Sequence, residues 1–158
     1  KLIKRTLMIS ANVEVNSRPW FKKIKNPEKY LNEKLKKTSK FFKFFKNKKI
    51  IFTILLTNSI KMKKLNKKFR KLNKPTDVLS FPYFSSKNLK SFKNKEIYIG
   101  DIAISYEIIN SRSKKNNFHL EFDKVWIHGL LHLIGYDHVK NKDYFKMNNF
   151  EKRILNLI

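Results

Sequence analysis

The sequence predicts one α+β domain over residues 1–158, a small mixed sheet of about four strands packed with about five helices. Three observations lead there. Four short runs are alternating or uniformly apolar, as strands are, while five longer stretches carry apolar residues at helical spacing. The two kinds of segment follow in the order strand, helix, strand, helix, strand, strand, helix, helix, helix. Finally, 158 residues suit one domain with a real core, and 41% apolar and 14% aromatic residues supply its material. Three glycines and four prolines leave little for linkers.

Residues 6–15 (TLMISANVEV) alternate as a first strand. Residues 27–49 read as a helix: Pro27 suits its first position, and Tyr30, Leu31, Leu35, Phe41, Phe42 and Phe45 recur at its spacing among lysines. Residues 50–58 (IIFTILLTN) are apolar on both faces, which predicts a central strand. Residues 59–73 form a short basic helix with Ser59 as its candidate cap. Residues 74–84 (KPTDVLSFPYF) are extended, and Pro75 and Pro82 suit an edge strand. Residues 85–96 are the expected mobile loop. A further strand covers roughly residues 97–104, with a helix starting near Ser105. Residues 118–135 form another helix that ends at Gly135, and 141–158 a C-terminal amphipathic one.

The chain has no cysteine, which removes disulfides, thiolate metal sites and cysteine nucleophiles and suits a reducing compartment. The longest apolar run is too short to cross a bilayer, and the basic and apolar start reads as a strand, not a signal peptide. A soluble, cytoplasmic protein is expected. The formal net charge of +25 draws polyanions, nucleic acid first among them. The dominance of Lys over Arg is what an AT-rich genome produces, but the scarcity of carboxylates is not explained that way. No GxSxG or Walker-type loop supports a serine hydrolase or an NTPase.

Three of the four histidines fall in eleven residues, HGLLHLIGYDH (128–138). On a helix His128 and His132 share one face, while Trp126, Leu130 and Leu133 turn to the core. Gly135 can take a left-handed conformation, stop the helix and let the chain bring His138 back. Three neutral imidazoles so placed make a metal site with a fourth position open for water, the catalytic rather than the structural arrangement. The spacing resembles the HExxHxxGxxH pattern of zinc proteases, but Gly129 replaces the glutamate base, which disfavours peptide hydrolysis.

HGLLHLIGYDH also closely resembles the signature of the YbeY family, bacterial rRNA maturation factors and metal-dependent single-strand endoribonucleases. NKPTDVLSFPY (73–83) and GDIAIS (100–105) resemble two further segments of that family. Phe84 stands where the family often carries an acidic residue. The resemblance implies one Zn²⁺ per chain held by His128, His132 and His138, with Arg70 as the residue acting on the RNA. A guanidinium can hold two phosphate oxygens and offset charge building in the transition state. Asp137 either orients a ligating imidazole or caps the turn.

Lys61, Lys63, Lys64, Lys67, Lys68, Lys71 and Lys74 surround Arg70 and could rim an RNA site, with Phe81 and Tyr83 for base stacking. The implied function is zinc-dependent cleavage of single-stranded RNA in 16S rRNA 3′-end processing and ribosome quality control, with the small ribosomal subunit as partner and no membrane. The alternative is a ribosome-associated RNA-binding assembly factor whose metal is chiefly structural.

Overall fold

A computed structural model describes residues 8–42, 45 and 47–158. The first two residues of the expected opening strand, and Lys43, Phe44 and Lys46 within the expected first helix, lie outside the described residues. The elements are β1 (Met8–Val15), α1 (Pro19–Lys23), α2 (Pro27–Thr38), a 3-10 turn (Ser39–Phe41), β2 (Lys49–Thr57), α3 (Ser59–Arg70), β3 (Val78–Pro82), α4 (Ser86–Ser91), β4 (Glu96–Ser105), α5 (Tyr106–Arg112), α6 (Phe118–Leu133) and α7 (Asn141–Leu155). The strands form one mixed sheet in the order β1-β2-β4-β3. β1, β2 and β4 run parallel, and β3 lies antiparallel on the β4 edge. β2, apolar on both faces, is central, and the proline-bearing β3 is an edge.

Period-two alternation divides the two faces. Ile102 of β4 and Ser80 of β3, which pair across the ladder, face α6. Leu79 and Ala103, one residue along, face the other way and join Met62 of α3 in a small second cluster. The main core therefore lies between the sheet and α2, α5, α6 and α7, with Trp20, Phe52, Phe122 and Trp126 among its fully buried side chains. Asp123, 4% exposed, ties α2 to α6: its carboxylate accepts from Tyr30 Oη, Trp126 Nε1 and Lys34 Nζ. Burial and that carboxylate push the Tyr30 phenol far above its ordinary pKa, so it stays a donor. On the outer edge, Asn32 of α2 lays its side-chain amide against β1, accepting from Ala11 N–H at 2.9 Å and donating to the Ala11 carbonyl at 3.0 Å.

Three expectations need correction, and one element is new. The first long helix stops at Thr38 and tightens into the 3-10 turn. The cap of α3 is Asn58, whose Oδ1 accepts from Lys61 N–H, while Ser59 Oγ bonds Ser105 Oγ at 2.8 Å. Residues 85–96 are not a bare loop: Ser85 caps α4, and Leu89, 1% exposed, anchors it in the core. The short helix α1 was not expected; it exists because Trp20 is fully buried and donates Nε1–H to the Thr57 carbonyl.

Candidate metal centre and its cleft

Helix α6 begins at the Asn117 cap, whose Oδ1 accepts from His119 and Leu120 N–H. It runs 16 residues with Trp126, Leu130 and Leu133 buried, which turns His128 and His132 toward solvent on the opposite side. The helix ends at Leu133 with Ile134 as its C-cap, and Gly135 takes φ +98°. That conformation suits glycine, and so does the space: a Cβ there would lie 2.5 Å from Ser86 Cβ. The reversal carries His138 back over the helix. Its backbone N–H is held by Asp137 Oδ1 at 2.7 Å, so Asp137 serves the turn.

The three rings converge. Centroid separations are 4.6 Å for His128–His132, 5.1 Å for His132–His138 and 5.7 Å for His128–His138. One ligating nitrogen from each lies within 4.8 Å of the others. His132 Nε2 and His128 Nε2 stand 3.0 Å apart. The other nitrogen of His128, Nδ1, meets Glu151 Oε1 of α7 at 2.6 Å. A proton on Nδ1 satisfies that carboxylate and leaves the Nε2 lone pair aimed at His132, an arrangement a cation between the rings would satisfy. The all-imidazole donor set and its spacing therefore fit a divalent transition metal. Burial, then the neighbouring His128 and His138, hold His132 below its ordinary pKa, in the neutral form a metal needs.

Glu151 was not anticipated, because it lies 23 residues from His128. One signal was present. On α7 it falls between Met147 and Ile154, both buried, at i+4 and i−3, so it is an acid on the apolar stripe. Replacing Glu151 with Gln is expected to weaken metal binding ~10–100-fold, the usual effect of losing a partner that orients a ligating histidine. Competition against a chelating dye reads this directly, and unchanged affinity would refute it.

The histidines share one cleft of about 590 Å³ with Arg70, which stands exposed at the end of α3. Asn66 Nδ2 donates to the Lys74 carbonyl, and Arg112 Nη1 to Asp77 Oδ2 at 2.6 Å, fixing the segment between Arg70 and β3. The seven lysines around Arg70 are exposed and make no ion pair among the described residues. Strand alternation separates two expected aromatics from the cleft. Ser80, Pro82 and Phe84 line it, whereas Phe81 packs on Phe69 at 5.0 Å on the other face and Tyr83 meets Tyr98. Ser80 Oγ donates to the Gly129 carbonyl, so it is a packing group and not a free nucleophile. Phe84, against Phe92 at 4.7 Å, gives the cleft an apolar wall.

An α+β domain that presents three converging imidazoles and an arginine in one cleft is built as a metal-dependent hydrolase. A family model described as Endoribonuclease YbeY matches residues 14–158. A protein named Endoribonuclease YbeY from Pelagibacter ubique (strain HTCC1062) is 48% identical over 155 residues, covering 96% of this chain and 97% of its own. Another of that name from Thermodesulfovibrio yellowstonii is 34% identical over 158 residues, covering 91% and 95%. The solution structure of a Thermotoga maritima protein superimposes with a TM-score of 0.59 at 28% identity, covering 94% of this chain and 87% of that one. The chain belongs to the YbeY endoribonuclease family.

Proposed function

We propose that this protein is a zinc-dependent endoribonuclease that cuts single-stranded RNA during rRNA maturation, at the 3′ end of 16S rRNA, and in ribosome quality control in the cytoplasm. The reading treats residues 1–158 as one domain and the small ribosomal subunit as the partner. The observation that carries it is the placement of Arg70 in the same cleft as the three imidazoles. His128, His132 and His138 would hold one Zn²⁺, which when bound supplies Lewis acidity at the phosphodiester. Glu151 keeps the His128 proton on Nδ1. Asp137 holds the turn that brings His138 in. Arg70, permanently charged and without an ion pair among the described residues, offers a two-pronged donor to the phosphate oxygens and offsets charge as it builds. The lysines of α3 gather the RNA backbone toward it.

Arg70→Ala separates this enzyme from an assembly factor with a structural metal. Loss of one such donor typically costs ~10²–10³-fold in rate. The expected result is that loss in cleavage of a single-stranded RNA, with metal content and RNA affinity kept near wild type. A variant that binds RNA more weakly but cuts what it binds at the wild-type rate would favour the factor.

A further inference from the structure

The cleft does not end at the histidines. Ser86, Gly135, Tyr136 and Asp137 form one of its walls and also the wall of a second, larger cavity of about 1200 Å³. That cavity follows α7 to Lys40, Phe41 and Arg153, and the same three residues border a third opening of about 520 Å³. Together they make one trench leading away from the metal centre.

Its far end has the chemistry of a polynucleotide site. The Arg153 guanidinium lies 5.3 Å, and Lys40 Nζ 5.5 Å, from the centroid of the Phe41 ring. Phe41 meets Phe150 at 5.6 Å, and Phe150 meets Tyr136 at 5.3 Å, so aromatic rings run back toward the histidines. Lys40, Lys146 and Arg153 are exposed, and none forms an ion pair among the described residues. Asp137 and Asp143 also line the trench; Asp137 accepts from the His138 N–H, and Asp143 sits in the first turn of α7, where the helix dipole favours an acid. Unpaired cations interleaved with aromatic rings are how proteins track single strands without reading sequence. The expected stacking residues Phe81 and Tyr83 face away from the cleft, so its aromatic lining is Phe84 on one wall and, through Tyr136, this row.

We propose that the trench is a second RNA subsite, which binds the nucleotides of a single strand beyond the phosphate held at the histidine cleft. Arg153 and Lys40 take backbone phosphates, and the Phe41–Arg153 pair gives a base its stacking platform. The proposal rests on the endoribonuclease reading, and the test keeps the two apart.

The test compares wild type, Lys40→Ala/Arg153→Ala, and a control, Lys114→Ala/Lys115→Ala, that removes equal charge beyond the far end of α6, ~24 Å away along that 16-residue helix. Cleavage is measured on RNAs of about twelve and about three nucleotides, bracketing the shorter end of single-strand site sizes of ~4–16 nucleotides. Two lost phosphate contacts, each scaling as roughly the −0.7 power of salt, raise KM for the long RNA about tenfold near physiological salt and lower its salt slope by about 1.4. The short RNA should be cut as by wild type, and the control should match wild type on both. Equal losses on both lengths, no change on the long RNA, or the same change in the control would each overturn the trench while leaving the nuclease reading intact. Wild type that cuts neither RNA would overturn both.

Discussion

Replacing His132 with alanine is expected to strip the protein of its metal and lower cleavage of single-stranded RNA by ~10²–10⁴-fold, with little effect on the stability of the metal-free chain. The rate loss corresponds to several kcal/mol of transition-state stabilisation, the scale of a Lewis acid at a phosphoryl oxygen. The small effect on folding follows from the surroundings. His132 is half-buried, held neutral by that burial and by His128 and His138, and its Nε2 faces another acceptor at 3.0 Å. Such a side chain does little for the apo fold and much for a cation. Metal analysis and cleavage on identically purified proteins decide it. A variant that keeps one metal and the wild-type rate removes His132 from the centre, and one that loses the metal yet cuts equally well removes the metal from the chemistry.

Gly129→Glu, the substitution that would complete a protease-like HExxH, is expected to destabilise the protein by ~3–5 kcal/mol and to yield no peptidase. Two effects compete at this position. A helical glycine gains about 1 kcal/mol on becoming alanine. Against that, a Cβ would lie 3.0 and 3.1 Å from Ile102 Cγ2 and Cδ1 and 3.2 Å from Ser80 Oγ. Ile102 is fully buried in the sheet and cannot yield, so overpacking of ~1–3 kcal/mol cancels the helical gain. A glutamate adds a carboxylate driven between α6 and the Ser80 and Ile102 side chains of the sheet, where desolvation dominates. The melting temperature should fall by ~6–20 °C at ~2–4 °C per kcal/mol. A variant that melts like wild type and hydrolyses casein would overturn both the packing argument and the assignment to RNA.

The parts of this fold that the sequence displays are those written in short-range periodicity. β2 is apolar on both faces and central, β3 carries proline and lies at the edge, and α6 shows its histidines on one side and its tryptophan and leucines on the other. Gly135 between His132 and His138 foretold the reversal because few other residues tolerate φ +98° beside Ser86. What escaped is non-local or too short for a period. Glu151 reaches His128 only because α7 packs on α6. The five-residue α1 and six-residue α4 are held by single buried anchors, Trp20 and Leu89. The stacking role expected of Phe81 and Tyr83 failed on alternation: Phe81 packs with Met62 of α3, Tyr83 meets Tyr98, and Ser80 and Pro82, which alternate with them, line the cleft. Composition suggested RNA, but only the folded chain shows where aromatic rings and cations line up.

Asn32 has a consequence for life at cellular concentrations. An edge strand offers unpaired amide and carbonyl groups to any passing extended chain, and sheets that leave them open invite stacking into fibrils. At Ala11 this protein closes the vacancy with a side chain that copies a neighbouring strand's donor and acceptor at 2.9 and 3.0 Å. Net charge alone would be a poor guard: repulsion at +25 fades within about 8 Å in cellular salt and reverses wherever a polyanion bridges two molecules. A chain this basic, working amid RNA, is brought into contact with its own copies by the very substrate it gathers. At Ala11 the Asn32 plug guards against that contact through shape and hydrogen bonding, which salt does not screen.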